Sequence, residues 1–526
     1  MSKSAHKFIK CRKITLCSLL ILLIQCLFLL NPTIAYTQNK ESDWFIYLGN
    51  KTPLKAPRKG ISAAEALAPL PLPATPLRRT ERKKPPQPDY LFGKVIWGKA
   101  ASFTDTTGRK MSIADWNLCP TELQQLMQIT RKVNMAYLWK NVNLIDFDFD
   151  AQKLPGLYIS GVRMVHLDKN TLNNLHKYIL NGGTVVCDSI AGSPYFYKSV
   201  KDMFAGIFPD TRFRKIPADH PVYHIMTDID KINCPKQPDI KEPVLEAIYV
   251  GCRAAVIISK IGLGCGLNGD ISRIKKLAQS KFYDISNARK IGLNIAAYII
   301  GYADVGQREG RPELFGAADK KIPSDELIFA QIKHNGQWNV HPGAASALLA
   351  KLRRHTSMRV NLNRVAVNLD TDDLCSFGFL YLTGLDDFSF SRKEIACLRN
   401  YMDMGGVLII NNGLGLSTFD HAVQIQIKKL FPDKTLKLLS PNHGIYSSIF
   451  PLQYIKYTPA LVKQRPELKN QPYILAIEQA GELKLIYSPY DFEAGWLGGY
   501  YPLMLGYRPE SAEQLGMNLM LYLLTH

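Results

Sequence analysis

After residue 89 the chain alternates two kinds of pattern. Short uninterrupted apolar runs, LYIS at 157–160, TVVC at 184–187, FLYLT at 379–383 and VLII at 407–410, are separated by longer stretches whose apolar residues recur every three or four positions. Uninterrupted runs suit strands buried on both faces, and the longer period suits amphipathic helices. Strands alternating with helices predict a mostly parallel sheet covered by helices on both sides, a doubly wound α/β architecture.

The pattern occurs twice. DWNLCPTELQQLM from Asp115 resembles QWNVHPGAASALL from Gln337, with Trp338 standing 222 positions after Trp116. LHKYILNGGTVV at 175–186 resembles LRNYMDMGGVLI at 398–409; IFPD at Ile207 matches LFPD at Leu430; His220 falls on His443, all 223 positions apart. IGLNIAAYII from Ile291 matches LGMNLMLYLL from Leu515, 224 positions on. So constant a spacing predicts one domain carried in tandem, residues 89–306 and 325–526, with 307–324 as connector.

Within each copy the elements follow from local chemistry. LFGKVIW and LIFAQIKH open the copies as strands, and each is followed by a turn whose Pro120 or Pro342 suits the first turn of a helix, where the missing N–H costs nothing. Asp168 and Ser391 are helix entries, Ser391 and Glu394 having capping-box spacing. Gly182–Gly183 and Gly405–Gly406 mark helix exits, where glycine takes left-handed angles without steric cost. The last helix of each copy is apolar nearly all round, which predicts burial. Gly292 and Gly516 would let it approach the sheet, and Asn294 and Asn518 then need internal hydrogen-bond partners.

The first 88 residues are of another kind. A basic start (Lys3, Lys7, Lys10, Arg12, Lys13) precedes an uncharged stretch at 14–30, a signal for export through 1–36. Seventeen residues suit either a cleaved signal peptide or a retained inner-membrane anchor, the latter being preferred. Residues 37–88 hold nine prolines and the cluster Arg78, Arg79, Arg82, Lys83, Lys84, which predicts an extended basic tether for a protein of the cell envelope or periplasm. Of the formal net charge of +20, the excess over residues 51–88 alone is nine basic against two acidic residues. The folded copies therefore lack the concentrated basic face a nucleic-acid binder needs.

Doubly wound sheets bind ligands at the carboxyl ends of their strands. In the second copy the loops there supply Asp386, Asp387, Asn411, Asn412, His443, Asp491 and Trp496, a set able to hold a sugar, a cation or an attacking water, or simply to cap helices and turns. The first copy keeps only Asp188 and His220 as titratable candidates, which suggests a structural or partner-facing role. Seven cysteines follow the export segment, an odd number that fits no complete disulfide framework. Cys265 in GLGCGLNG has no cysteine opposite it in the other copy, and no helical pattern follows it. His220 and His224 make a poor zinc pair because the second copy lacks the second histidine, so neither a metal nor a cofactor is expected.

The run LYLTGLDDFSFSRKEIACLRNYMDMGGVLIINN, with LFPD, His443, YSPYDFEAGW and LGMNLMLYLL following in order, resembles the bacterial domain-of-unknown-function family 4159. The first copy resembles a diverged member. The resemblance implies a flavodoxin-like, class I glutamine-amidotransferase-like three-layer sandwich and no established activity, and no position matches the amidotransferase nucleophile. Two expectations follow: an envelope-attached, non-catalytic binding or scaffold protein, or a hydrolase of a carbohydrate or cell-wall ligand acting through the second copy.

Overall fold

The computed structural model describes residues 90–525 except 105–107, 109, 272–278, 311–314 and 317–325. The export segment and the proline-rich tether lie outside the described residues, as does most of the expected connector. Among the described residues no helix is long and apolar enough to cross a membrane.

Each copy forms one seven-stranded sheet. In the first, the strands are β1 (Tyr90–Ile96), β2 (Tyr137–Asn143), β3 (Gly156–Gly161), β4 (Thr184–Ser189), β5 (Arg214–Lys215), β6 (Leu245–Val250) and β7 (Arg253–Ser259). In the second they are β8 (Ala330–Ile332), β9 (Val365–Val367), β10 (Phe379–Gly384), β11 (Val407–Asn412), β12 (Lys437–Leu438), β13 (Leu475–Gln479) and β14 (Glu482–Ser488). The spatial orders are β2-β1-β3-β4-β7-β6-β5 and β9-β8-β10-β11-β14-β13-β12, the same arrangement twice. Five neighbouring strands run parallel in each sheet, and β6 and β13 return antiparallel. The repeat and the α/β class expected from the sequence are both present. The strand order reverses beside β1 and β8, which places a topological switch point at the ends of β1 and β3 and again at β8 and β10.

The local signals correspond to real devices. The Ser391 hydroxyl and the Glu394 carboxylate exchange hydrogen bonds with each other's backbone, and the Asp168 side chain accepts from the amides of Asn170 and Thr171. Gly182 and Gly405 have φ of +99° and +101°, the left-handed exits their pairing implied. Asn294 accepts from the amides of Met226 and Thr227 and donates to the Thr227 carbonyl, and Asn518 treats Ile449 and Phe450 in the same way. Each asparagine thus ties its buried helix to the loop crossing it.

Two expectations change. Gly292 and Gly516 do not open the way to the sheet; a methyl group at either position would press on Leu267 and Leu126, or on Trp496 and Leu348, so both glycines admit a short neighbouring helix. Those helices, Gly264–Leu267 and Glu493–Trp496, stand where no helical period is visible because four residues are too few to show one. The expected boundary at 306 also falls inside a helix, Ala303–Glu309.

The copies share a core. Val340, Leu385, Leu414, Leu416, Ala494, Tyr501 and Met504 of the second pack in one buried cluster with Ile295, Tyr298, Tyr302 and Val305 of the first. The Gly251–Cys252 turn, which precedes β7 at the amino-terminal edge of the first sheet, receives a hydrogen bond from Gln337 Nε2 to the Gly251 carbonyl at 3.1 Å. Gln337 follows β8 at the carboxyl-terminal edge of the second sheet. The domains are therefore stacked head to tail, the first closing the edge at which the second would hold a ligand.

Candidate functional site

Asp491 stands three residues past the end of β14 and is fully buried. Its Oδ2 accepts the Leu414 amide at 2.8 Å and its Oδ1 accepts the Ala494 amide at 3.2 Å and Asn411 Nδ2 at 3.1 Å. Asn411, at the end of β11, returns the contact by accepting the Phe492 amide. Leu414 reaches this position with φ of +56°, an unfavourable angle for a side-chain-bearing residue, and Ala191 repeats it at +54° in the first copy. The strained turn is common to both halves, and in the second it points the Leu414 amide at Asp491.

The remaining face of Asp491 meets His341, whose Nε2 lies 2.8 Å from Oδ2. His341 sits on the loop between β8 and the helix Ala344–His355. Its Nδ1 lies 3.0 Å from Oε1 of Glu309, the last residue of the first copy's helix Ala303–Glu309. Glu309 Oε1 also accepts the Tyr501 hydroxyl at 2.5 Å, and Oε2 accepts the Cys252 amide and thiol, both at 3.4 Å. An imidazole is thus clasped between one carboxylate from each copy. Burial alone would pull His341 down, but Asp491 and Glu309 hold it well above the usual histidine range. Burial would likewise raise Asp491, yet the His341 charge keeps it below the usual carboxylate range. Burial, reinforced by Glu309, pushes the Cys252 thiol up to about 12, which leaves it neutral and a poor nucleophile.

A second buried cluster lies beside the first. Glu493 accepts the Tyr381 hydroxyl at 3.0 Å and faces Arg364 at 3.8 Å; burial raises the Glu493 carboxyl to about 7 against the pull of His341 and Arg364. In the first copy Asp188, at the end of β4, accepts the amides of Leu263 and Gly264 at 2.7 Å each and the Tyr158 hydroxyl at 3.1 Å, and burial raises it to about 7. Tyr158 also meets Glu122, which pairs with Lys94 at 2.7 Å in full burial.

The other expected site residues scatter. Asp386 is buried against Arg214 of the first copy, with Nη1 2.9 Å away, and accepts the Gln337 amide at 2.7 Å. Asp387 is exposed. Asn412 donates to the carbonyls of Leu416 and Pro489. Trp496 is a core residue whose indole N–H donates to the Ala512 carbonyl, so it offers no stacking face to a ligand. His443 and His220 each accept from an amide two residues ahead, capping a short 3-10 turn. His220 is buried and burial, aided by His224, pushes it down to about 3. His443 borders an open groove of about 610 Å³ with Asp433, Lys434, Lys437 and Glu478, a lining that contains neither Asp491 nor Asp386. Of the seven expected in the second copy, Asn411 and Asp491 are in direct contact.

His341, Glu309, Cys252, Arg364 and Glu493 carry the clusters and were not singled out from sequence. One signal for His341 was available, since QWNVHP aligns it with Cys119 in DWNLCP. The pairing with Glu309 had none, because it joins residues on opposite sides of the connector.

Fold and site together define a tandem pair of doubly wound α/β domains, stacked head to tail over a sealed polar junction. The chain belongs to the DUF4159 family, a domain of unknown function, whose model matches residues 107–300 and again 328–524. No curated protein matches the chain.

Proposed function

We propose that the protein is an exported, envelope-attached scaffold or binding protein in which the two domains act as one rigid, non-catalytic body. The observation that carries this reading is the state of Asp491. Both of its oxygens are spent on the Leu414 and Ala494 amides, Asn411 and His341, without solvent contact. A general acid or base must reach a substrate proton, directly or through one water. The groups that would do so here are consumed in joining the domains, and the first copy lies over the strand edge where a substrate would enter.

The basic N-terminal region supports attachment: an apolar segment at 14–30 serves as export signal or anchor, and the tether's cations suit an anionic lipid surface at roughly 1 kcal/mol each. The groove beside His443 is the open polar surface on which a carbohydrate or other envelope ligand would bind without being turned over.

The test pairs activity with stability. Asp491→Asn and His443→Ala are compared with the parent chain for hydrolysis of cell-wall glycans and for thermal unfolding. The scaffold reading expects no hydrolysis by the parent and a lowered Tm for Asp491→Asn. Hydrolysis by the parent that disappears in Asp491→Asn at unchanged Tm overturns it.

A further inference from the structure

Cys252, Glu309 and His341 bring a thiol, a carboxylate and an imidazole nitrogen within 4.8 Å of one another, all three buried. These are the three donor types that bind zinc. Ligands at about 2.0–2.3 Å in a tetrahedron stand roughly 3.3–3.7 Å apart. Here Cys252 Sγ lies 3.4 Å from Glu309 Oε2 and His341 Nδ1 lies 3.0 Å from Glu309 Oε1, so the thiol and the imidazole flank the two oxygens of one carboxylate, and small side-chain rotations would bring the three donors to tetrahedral edge lengths. The far nitrogen of His341 meets the Asp491 carboxylate at 2.8 Å, the arrangement that fixes a metal-binding imidazole in zinc proteins. Asp491 in turn is held by the amides of Leu414 and Ala494, so the orienting group is itself rigid.

We propose that Cys252, Glu309 and His341 form an inter-domain site for a divalent transition metal of the zinc type, with Asp491 as the positioning residue behind His341. The ion displaces two protons, one from the Cys252 thiol and one from His341 Nδ1, and takes over the contacts that those groups make with Glu309. Two ligands come from the first copy and one from the second, so the metal clips the domains together. Three protein donors leave a fourth position, and the Tyr501 hydroxyl, 2.5 Å from Glu309 Oε1, borders it. Because the donors are sealed, the ion enters as the chain folds.

The experiment expresses the full chain in minimal medium containing Co²⁺ as the probe ion, purifies it in detergent, and measures metal content and absorption. The expected result is one Co²⁺ per chain, with a thiolate-to-cobalt charge-transfer band and the strong visible bands of four-coordinate cobalt. Cys252→Ser, which keeps the packing nearly unchanged, loses the charge-transfer band; Cys375→Ala, at an exposed cysteine, keeps it. Asp491→Asn keeps the charge-transfer band but lowers cobalt occupancy by about tenfold or more at limiting metal. A parent chain that folds with less than a tenth of an equivalent of cobalt overturns the proposal, as does a charge-transfer band that survives Cys252→Ser.

Discussion

Cys119 and His341 occupy the same point of the two copies, each one residue before the matching prolines Pro120 and Pro342, and their partners differ completely. Cys119 lies 3.7 Å from Cys265 in an apolar pocket with Val162, Ile190 and Phe282, whereas His341 joins Asp491 to Glu309 across the domain junction. The same loop position closes the interior of one copy and fastens the other to its neighbour. The buried carboxylate at the strand ends has moved as well. Asp188 comes from β4 in the first copy, while in the second the equivalent β11 position carries Asn411, and Asp491 approaches from beyond β14.

Replacing His341 by alanine leaves Asp491 and Glu309 buried without the charge between them. Removing one member of a buried ion set costs about 3–5 kcal/mol. Urea unfolding followed by tryptophan fluorescence is expected to show a loss of that size; a change below about 1 kcal/mol contradicts the ionic junction.

Arg214→Ala strips Asp386 of its partner from the other copy. Truncating one side of a buried, hydrogen-bonded charge pair costs about 2–5 kcal/mol. Because this pair spans the domains, calorimetry is expected to show the single transition of the parent resolving into two, with the second copy's midpoint lowered.

The buried carboxyls make stability depend on pH. Asp188 and Glu493, raised to about 7 by burial, hold their protons more tightly in the folded chain than in the unfolded one. Stability therefore falls as pH rises from about 4 to about 7 and levels off above that. The raised His341 contributes stability that is full below about 6.5 and is lost only as pH climbs through its folded value; the lowered Asp491 contributes above about 4 and fades as pH falls through its own. Urea midpoints measured from pH 4 to 8 are expected to decline, and Asp188→Asn is expected to flatten that decline while lowering overall stability.

Trp496→Ala opens a cavity among Phe329, Tyr381 and Phe492 and is expected to cost about 3–5 kcal/mol. Asp387→Ala, at an exposed loop position, is expected to stay within about 0.5 kcal/mol of the parent. Thermal unfolding of the pair distinguishes a core tryptophan from a ligand-stacking one, since the latter would lower affinity at unchanged Tm.

The sequence by itself determined what depends on neighbours along the chain: the repeat, the strand–helix alternation, the Ser391 capping box, the glycine exits at 182 and 405, and the buried asparagines at 294 and 518. Each is encoded by period or by residue type at short spacing. The tertiary structure alone decided which polar residues meet. Glu309 and His341 lie on either side of the connector, and Arg214 and Asp386 are 172 positions apart. Spacing along the chain carries no information about which edge of one domain will rest on another, because that docking is set by the shape of the whole apolar surface to be buried. Stacking the first copy on the strand ends of the second turned Asp386 and Asp491, two of the loop residues that read as a ligand site, into the interior of a joint.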